Sequence, residues 1–275
     1  MANKNIIIIP WDYTESCRIA LQHAIQLASV VGNSIMLARF LEKPGLFGKK
    51  SFEDLKKTEE ERLAAEASAI SKEFNINLLI AVDQFKAQEI RDLTKDADAN
   101  LVVCGRTYKT DKKEYETKDV VEELSELDIP FIIAATKPPH DYYKELVVPL
   151  DNDKKVKETM QWVVYLAKYY NCNINLFKTR LEKEVDKRDM ENNMYFIKKM
   201  LDKKNIVYGV STAKKDAVFE TDIIRFAESI DADLVVVMIN KYKKILREQP
   251  NYDEKLPYLV INRNTEIIKY GGSFR

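Results

Sequence analysis

Unbroken apolar runs alternate along this chain with stretches where apolar and polar positions recur every three or four residues. The run Ile6-Ile7-Ile8-Ile9, within residues 4–10, has the pattern of a strand covered on both faces of a parallel sheet. Asp12 and Thr14 then offer N-caps to a helix with apolar positions Ile19, Leu21, Ala24, Ile25, Leu27, Ala28 and Val31, which Gly32 stops. A strand at 34–41, a Pro- and Gly-containing loop at 42–50 and a charged helix at 52–74 follow. A strand at 76–82, a helix at 87–97, a strand at 101–105, a helix at 118–127 and a strand at 131–135 complete the series. Strictly alternating strands and helices predict a doubly wound parallel sheet with helices on both faces.

The pattern then repeats. Asn5-Ile6-Ile7-Ile8-Ile9-Pro10-Trp11-Asp12 returns as Glu145-Leu146-Val147-Val148-Pro149-Leu150-Asp151, an apolar strand closing on Pro-x-Asp. Asp98-Ala99-Asn100-Leu101-Val102-Val103 returns as Asp231-Ala232-Asp233-Leu234-Val235-Val236. Ile129-Pro130-Phe131-Ile132-Ile133 returns as Leu256-Pro257-Tyr258-Leu259-Val260. A repeat of this length is a whole domain and not a solenoid unit. The expectation is α/β: two tandem Rossmann-like domains, at 1–137 and 142–275, each a five-stranded parallel sheet flanked by helices. Their packing is expected as a pseudo-dimer, with the fifth strands, 131–135 and 257–262, helping to close what would otherwise be an open edge. Pro138-Pro139 marks 136–141 as the linker. The second copy leaves little room for its fourth helix, because residues 240–256 contain Pro250. The tail through Gly271-Gly272 reads as mobile.

Composition narrows the function classes. Forty-four basic side chains balance 44 acidic ones, so no net field recruits nucleic acid or an anionic membrane. No apolar run reaches the roughly 20 residues of a membrane helix, and Met1-Ala2-Asn3-Lys4 runs straight into a strand without a signal-peptide pattern. Cys17, Cys104 and Cys172 are odd in number and widely spaced, as expected of reduced thiols in a cytoplasmic protein. With His23 and His140 they form no metal-ligand spacing and suggest no nucleophile–base pair. P-loop, GxSxG and HExxH patterns are absent from the sequence. The expectation is therefore no metal and no catalysis.

The strand-Pro-x-Asp openings, Val103-Cys104-Gly105 and the closing Ile-Pro-Phe-Ile-Ile strand together resemble a tandem universal stress protein, over nearly the whole chain. What that resemblance implies is an Asp after the first strand at the adenine end of a nucleotide, and a Gly-x2-Gly-x9-Gly-Ser/Thr loop after the fourth strand around its phosphates. In such a loop glycines let backbone N–H groups close on phosphate oxygens. Gly105 stands at the first glycine, but the second position is Tyr108 and the final pair reads Lys118-Asp119. Loop length is kept while bulk and negative charge replace glycine and hydroxyl. The second copy has no glycine after Val236-Val237-Met238-Ile239. Lys241, Lys243, Lys244 and Arg247 follow there, read as a solvated basic helix face or as phosphate ligands.

If a nucleotide binds, its expected contacts are Pro10, Trp11, Asp12, Gly105 and Thr107. Each has a plainer explanation. Asp12 and Asp151 stand where helices need N-caps. Gly105 can serve a turn of positive φ. Trp11 can stack on a base or fill the space that a lost nucleotide leaves. The expected function is a stress-associated regulator or scaffold that acts through protein partners, without cofactor. An altered ATP or AMP site in the first domain is the alternative. A hydrolase of the wider adenine-nucleotide superfamily stands further off, because 11–16 read Trp-Asp-Tyr-Thr-Glu-Ser, without glycine. Homodimerisation is left open.

Overall fold

The computed structural model describes residues 5–44, 51–86, 88–215, 217–248 and 255–262, and the chain divides into compact units between Ala134 and Ala135. The expectations for 45–50, Pro250 and the tail beyond 262 lie outside these residues.

The first unit runs β1 (Ile6–Pro10), α1 (Glu15–Val31), β2 (Ser34–Leu41), α2 (Phe52–Phe74), β3 (Leu78–Gln84), α3 (Glu89–Asp96) and β4 (Ala99–Gly105). A short hairpin, β5 (Tyr108–Lys109) and β6 (Glu114–Tyr115), precedes α4 (Thr117–Leu124) and β7 (Phe131–Ala134). Its parallel sheet has the order β3-β2-β1-β4-β7. Ile7, Ile8 and Ile9 are wholly buried, as the continuous run predicts. α1 packs on β1 and β4 and α2 on β3 and β2, while α3 packs on β4. α1 buries Cys17, Ala20, Leu21, His23, Ala24, Leu27 and Ala28. Its stripe is thus rotated from the one read in sequence: Ile19, Ile25 and Val31 sit at the margin, and His23 lies inside. Gly32, at φ 72°, ends α1 as expected, its N–H donating to the Ala28 carbonyl. Chain progression reverses between β1 and β4, so their carboxyl ends form the crevice where such sheets hold ligands.

The second unit runs β8 (Glu145–Leu150), α5 (Val156–Tyr170), β9 (Asn173–Lys178), α6 (Glu184–Lys203), β10 (Tyr208–Thr212), α7 (Phe219–Ser229), β11 (Leu234–Met238), α8 (Ile239–Glu248) and β12 (Tyr258–Ile261). The order β10-β9-β8-β11-β12 reproduces that of the first unit. One expectation fails here: the fourth helix is not curtailed. α8 has ten residues against eight in α4, because β11 passes into it with no intervening loop.

The expected linker is tied into the second unit. Thr136 Oγ1 donates to the Lys255 carbonyl at 2.8 Å, and His140 Nδ1 lies 2.8 Å from Asp233 Oδ1. Asp233, wholly buried, also accepts from the Lys144 and Glu145 N–H groups at 2.7 and 2.8 Å.

Candidate functional site

β1 delivers Pro10-Trp11-Asp12 to the crevice, the Trp11 N–H continuing the ladder to the Ala38 carbonyl at 2.7 Å. Asp12 is 8% exposed, and a buried carboxylate needs donors. Oδ1 accepts from Thr14 N–H at 3.0 Å and Thr14 Oγ1 at 2.6 Å, while Oδ2 accepts from Lys109 N–H at 2.7 Å. Asp12 is therefore not the N-cap of α1, a position held by Thr14. It forms an Asx turn into the helix and anchors a loop 97 residues away. Trp11 is wholly buried, fills core volume and has no place in the cavity wall described below. Arg18 lies 5.6 Å from its ring centroid.

Gly105 ends β4 against the first turn of α1. An added Cβ would come within 2.5 Å of the Ser16 carbonyl oxygen and closer still to Ser16 Oγ. Gly32 is the glycine with positive φ among the described residues, so the turn explanation for Gly105 gives way to close helix–strand packing. Ser16 Oγ accepts from the Thr107 N–H at 3.2 Å.

Between Gly105 and α4 the chain closes on itself. Tyr108 pairs with Tyr115 and Lys109 with Glu114 across the hairpin. Thr110 N–H donates to the Lys113 carbonyl at 2.9 Å, and Thr110 Oγ1 accepts from the N–H groups of Lys112 and Lys113. Arg39, 6% exposed, clamps the hairpin through the Lys109 carbonyl at 3.1 Å and Asp111 at 3.3 Å, with Glu59 at 3.5 Å. Burial alone would lower the Arg39 guanidinium, but Tyr108, Glu59 and Asp111 hold it above its ordinary value. Tyr108 is buried, its hydroxyl accepting from Phe40 N–H at 3.3 Å, and burial pushes that hydroxyl up to about 12. Asp119 caps α4 by accepting from Glu116 N–H at 3.4 Å.

Beneath the hairpin lies a cavity of about 360 Å³, walled by Pro10, Phe40, Phe85, Cys104, Tyr108 and Tyr115. Of the five residues expected at a nucleotide, Pro10 alone lines it. Burial first, and Asp12 second, raise the Cys104 thiol far above its ordinary value, which leaves it un-ionised at neutral pH. Among the described residues no group of three or more His, Cys, Asp or Glu gathers as for a metal ion, and no helix is long and apolar enough to cross a membrane.

In the second unit the equivalent crevice is closed by charge. Asp151 Oδ1 accepts from Asp153 N–H at 2.9 Å, and Lys155 stands at the N-cap of α5, so Asp151 is no cap either. Asp151 Oδ2 lies 2.5 Å from Lys241 Nζ, which is 3.3 Å from Glu220 Oε1. Lys244 Nζ reaches the same Glu220 oxygen at 2.8 Å. Lys241 thus belongs to no solvated face, because its side chain is 18% exposed. A crevice of about 180 Å³ remains beside Pro149, Asp151, Lys241 and Lys244. Burial opposes both charges, yet Lys244 and Lys241 hold Glu220 below the usual carboxylate range, and Asp151 and Glu220 hold Lys241 above the usual ammonium range.

The cluster's contribution to stability therefore persists across neutral pH. It is lost as pH falls through the lowered Glu220 value or rises through the raised Lys241 value. Lys241→Met should destabilise the second unit by about 3 kcal/mol, since two carboxylates lose a shared counter-ion. Lys244→Met, whose ammonium is 44% exposed, should cost below about 1 kcal/mol. Urea unfolding read by Trp162 in a Trp11→Phe background checks both.

The sheet order, the crevice between the ends of β1 and β4 and the Asp at its mouth define the first unit as a Rossmann-like nucleotide-binding class of α/β domain. Residues 4–115 match the model of the universal stress protein family. No curated protein matches the chain. Among solved structures, a universal stress protein from Archaeoglobus fulgidus DSM 4304 is similar over 94% of this chain and 97% of its own, at 15% identity and a TM-score of 0.68. A family protein from Arabidopsis thaliana with AMP bound covers 44% of this chain and 92% of its own, at 13% identity and a TM-score of 0.33. A universal stress protein in complex with cAMP covers 37% and 76%, at 17% identity and a TM-score of 0.30. The likeness to the Archaeoglobus fulgidus protein is one of fold.

Proposed function

We propose that this chain is a stress-associated regulator or scaffold of the universal stress type, cytoplasmic and acting through protein partners, which does not bind ATP in the usual way. One observation carries the reading. The N–H groups of residues 107, 109, 110, 112 and 113, in the stretch where phosphate would be bound, all donate to the chain's own oxygens. An amide already satisfied inside the protein gains little by exchanging its partner for phosphate. The Asp12 carboxylate is likewise engaged at both oxygens. Asp119 adds a negative charge where the family pattern has a hydroxyl, an opposition of about 1–4 kcal/mol to a phosphate at close range.

The alternative, one altered adenine-nucleotide site in the first unit, requires Ser16 and Asp12 to release Thr107 and Lys109. Native mass spectrometry of gently purified protein should give the apo mass. Calorimetry with ATP, ADP, AMP and cyclic AMP should give no saturable heat at millimolar ligand. Micromolar triphosphate binding would overturn the proposal.

A further inference from the structure

The cavity under the β5–β6 hairpin has a wall and a mouth of different character. Four rings meet in the wall. Tyr108 stacks on Phe85 with 10° between planes, Phe40 stands edge-on to Tyr108, and Tyr115 tilts against Phe85 with centroids 5.4 Å apart. The mouth carries Glu89, Asp119, Glu122 and Glu123 beside Lys86, which pairs with Glu89 at 3.7 Å. An anion meets like charge at that mouth, and a neutral molecule gains only from burial. An organic cation gains from burial, from the negative faces of the rings and from the carboxylates.

The protein already contains a small instance of this chemistry. The Lys113 ammonium sits 4.4 Å from the Tyr115 ring centroid and 3.8 Å from Asp119 Oδ2, so one ring and one carboxylate of this site jointly hold an ammonium. The volume, about 360 Å³, is at the small end of the range for small-molecule sites, about 300–1,000 Å³. Because Cys104 is un-ionised, the site offers no thiolate to trap a ligand covalently.

We propose that this cavity binds a small organic cation, a quaternary or aromatic ammonium compound, seated among Phe40, Phe85, Tyr108 and Tyr115 beneath the acidic mouth. The proposal rests on the preceding reading in one respect only, that no nucleotide occupies the hairpin.

The test titrates the full chain with benzyltrimethylammonium, benzyl alcohol and phenylacetate, three probes of similar body and different charge. Calorimetry gives affinity, and NMR shifts at Ile90, Tyr115, Val120 and Leu124 report location. The cation should bind saturably and about tenfold more tightly than the alcohol, with phenylacetate silent. Tyr115→Leu keeps the apolar wall but removes a ring face, and should abolish the preference for the cation while sparing the alcohol. Glu122→Gln and Glu123→Gln, on the surface of α4, should each weaken cation binding about two- to fivefold. Equal affinity for all three probes, no saturable cation binding, or shifts elsewhere would overturn the proposal. ATP binding would sink the function proposed above, whereas silence of both ATP and the cation would sink only this site.

Discussion

Gly105→Ala is expected to destabilise the first unit by about 3 kcal/mol, at the upper end of the usual penalty for overpacking. The methyl group would enter space held by Ser16, whose backbone carbonyl cannot rotate away as a side chain would. Relief requires α1 and β4 to separate, and that separation also pulls Thr107 N–H from Ser16 Oγ. Urea unfolding read by Trp11 in a Trp162→Phe background measures the loss. Gly32→Ala is the informative control. Nothing lies within 4 Å of its added Cβ, and its φ of 72° is the whole objection, so about 1 kcal/mol is expected. Ser16→Ala added to Gly105→Ala should recover part of the loss, because the carbonyl contact remains. Equal costs at the two glycines would show that β4 and α1 are not in the contact described.

Asp233→Ala is expected to cost the second unit about 4 kcal/mol. The wholly buried carboxylate serves two backbone N–H groups, of Lys144 and Glu145, and the His140 ring. Each buried donor left unsatisfied costs about 1–3 kcal/mol. The loss should appear in the unfolding of the second unit, followed by Trp162 with Trp11 replaced by Phe. His140→Ala removes one partner but orphans no backbone group, so its effect should be markedly smaller. A small effect of Asp233→Ala would mean that water replaces the carboxylate.

Most of the fold is written in local pattern. Residues 52–74 form α2 and 34–41 form β2 at the bounds that periodicity predicts. The run of isoleucines in β1 is buried as a two-faced strand must be. The α1 stripe is less legible, because small residues such as Ala20 and the polar His23 share its buried face while Ile19 and Ile25 lie at the margin. The hairpin at 108–115 could not be read at all, since strands of two residues carry no periodicity. The sequence does warn that residues 105–119 keep the length of a phosphate loop without its glycines. It cannot disclose what these loop residues meet, because Asp12 and Lys109, or Asp151 and Lys241, come together across roughly ninety-odd residues of chain. The same distance hides the reason for Gly105. A glycine at a strand end suggests a turn or a ligand, yet here it makes room for a serine from another element.

The sharpest difference between the units is how each fills its crevice. In the first, a hairpin uses its own amides, and in the second β11 runs directly into α8 and Lys241 stands beside Asp151. Both leave the doubly wound sheet intact. Binding function in this chain then depends on what each crevice has become, because the fold alone does not decide it.

Residue-resolved hydrogen exchange of the hairpin amides tests the central claim most directly. If residues 107, 109, 110, 112 and 113 donate to the protein's own oxygens, their amides exchange slowly in the free protein. Millimolar ATP then leaves those rates unchanged. Fast exchange at these positions in the free protein, slowed by ATP, would contradict the account.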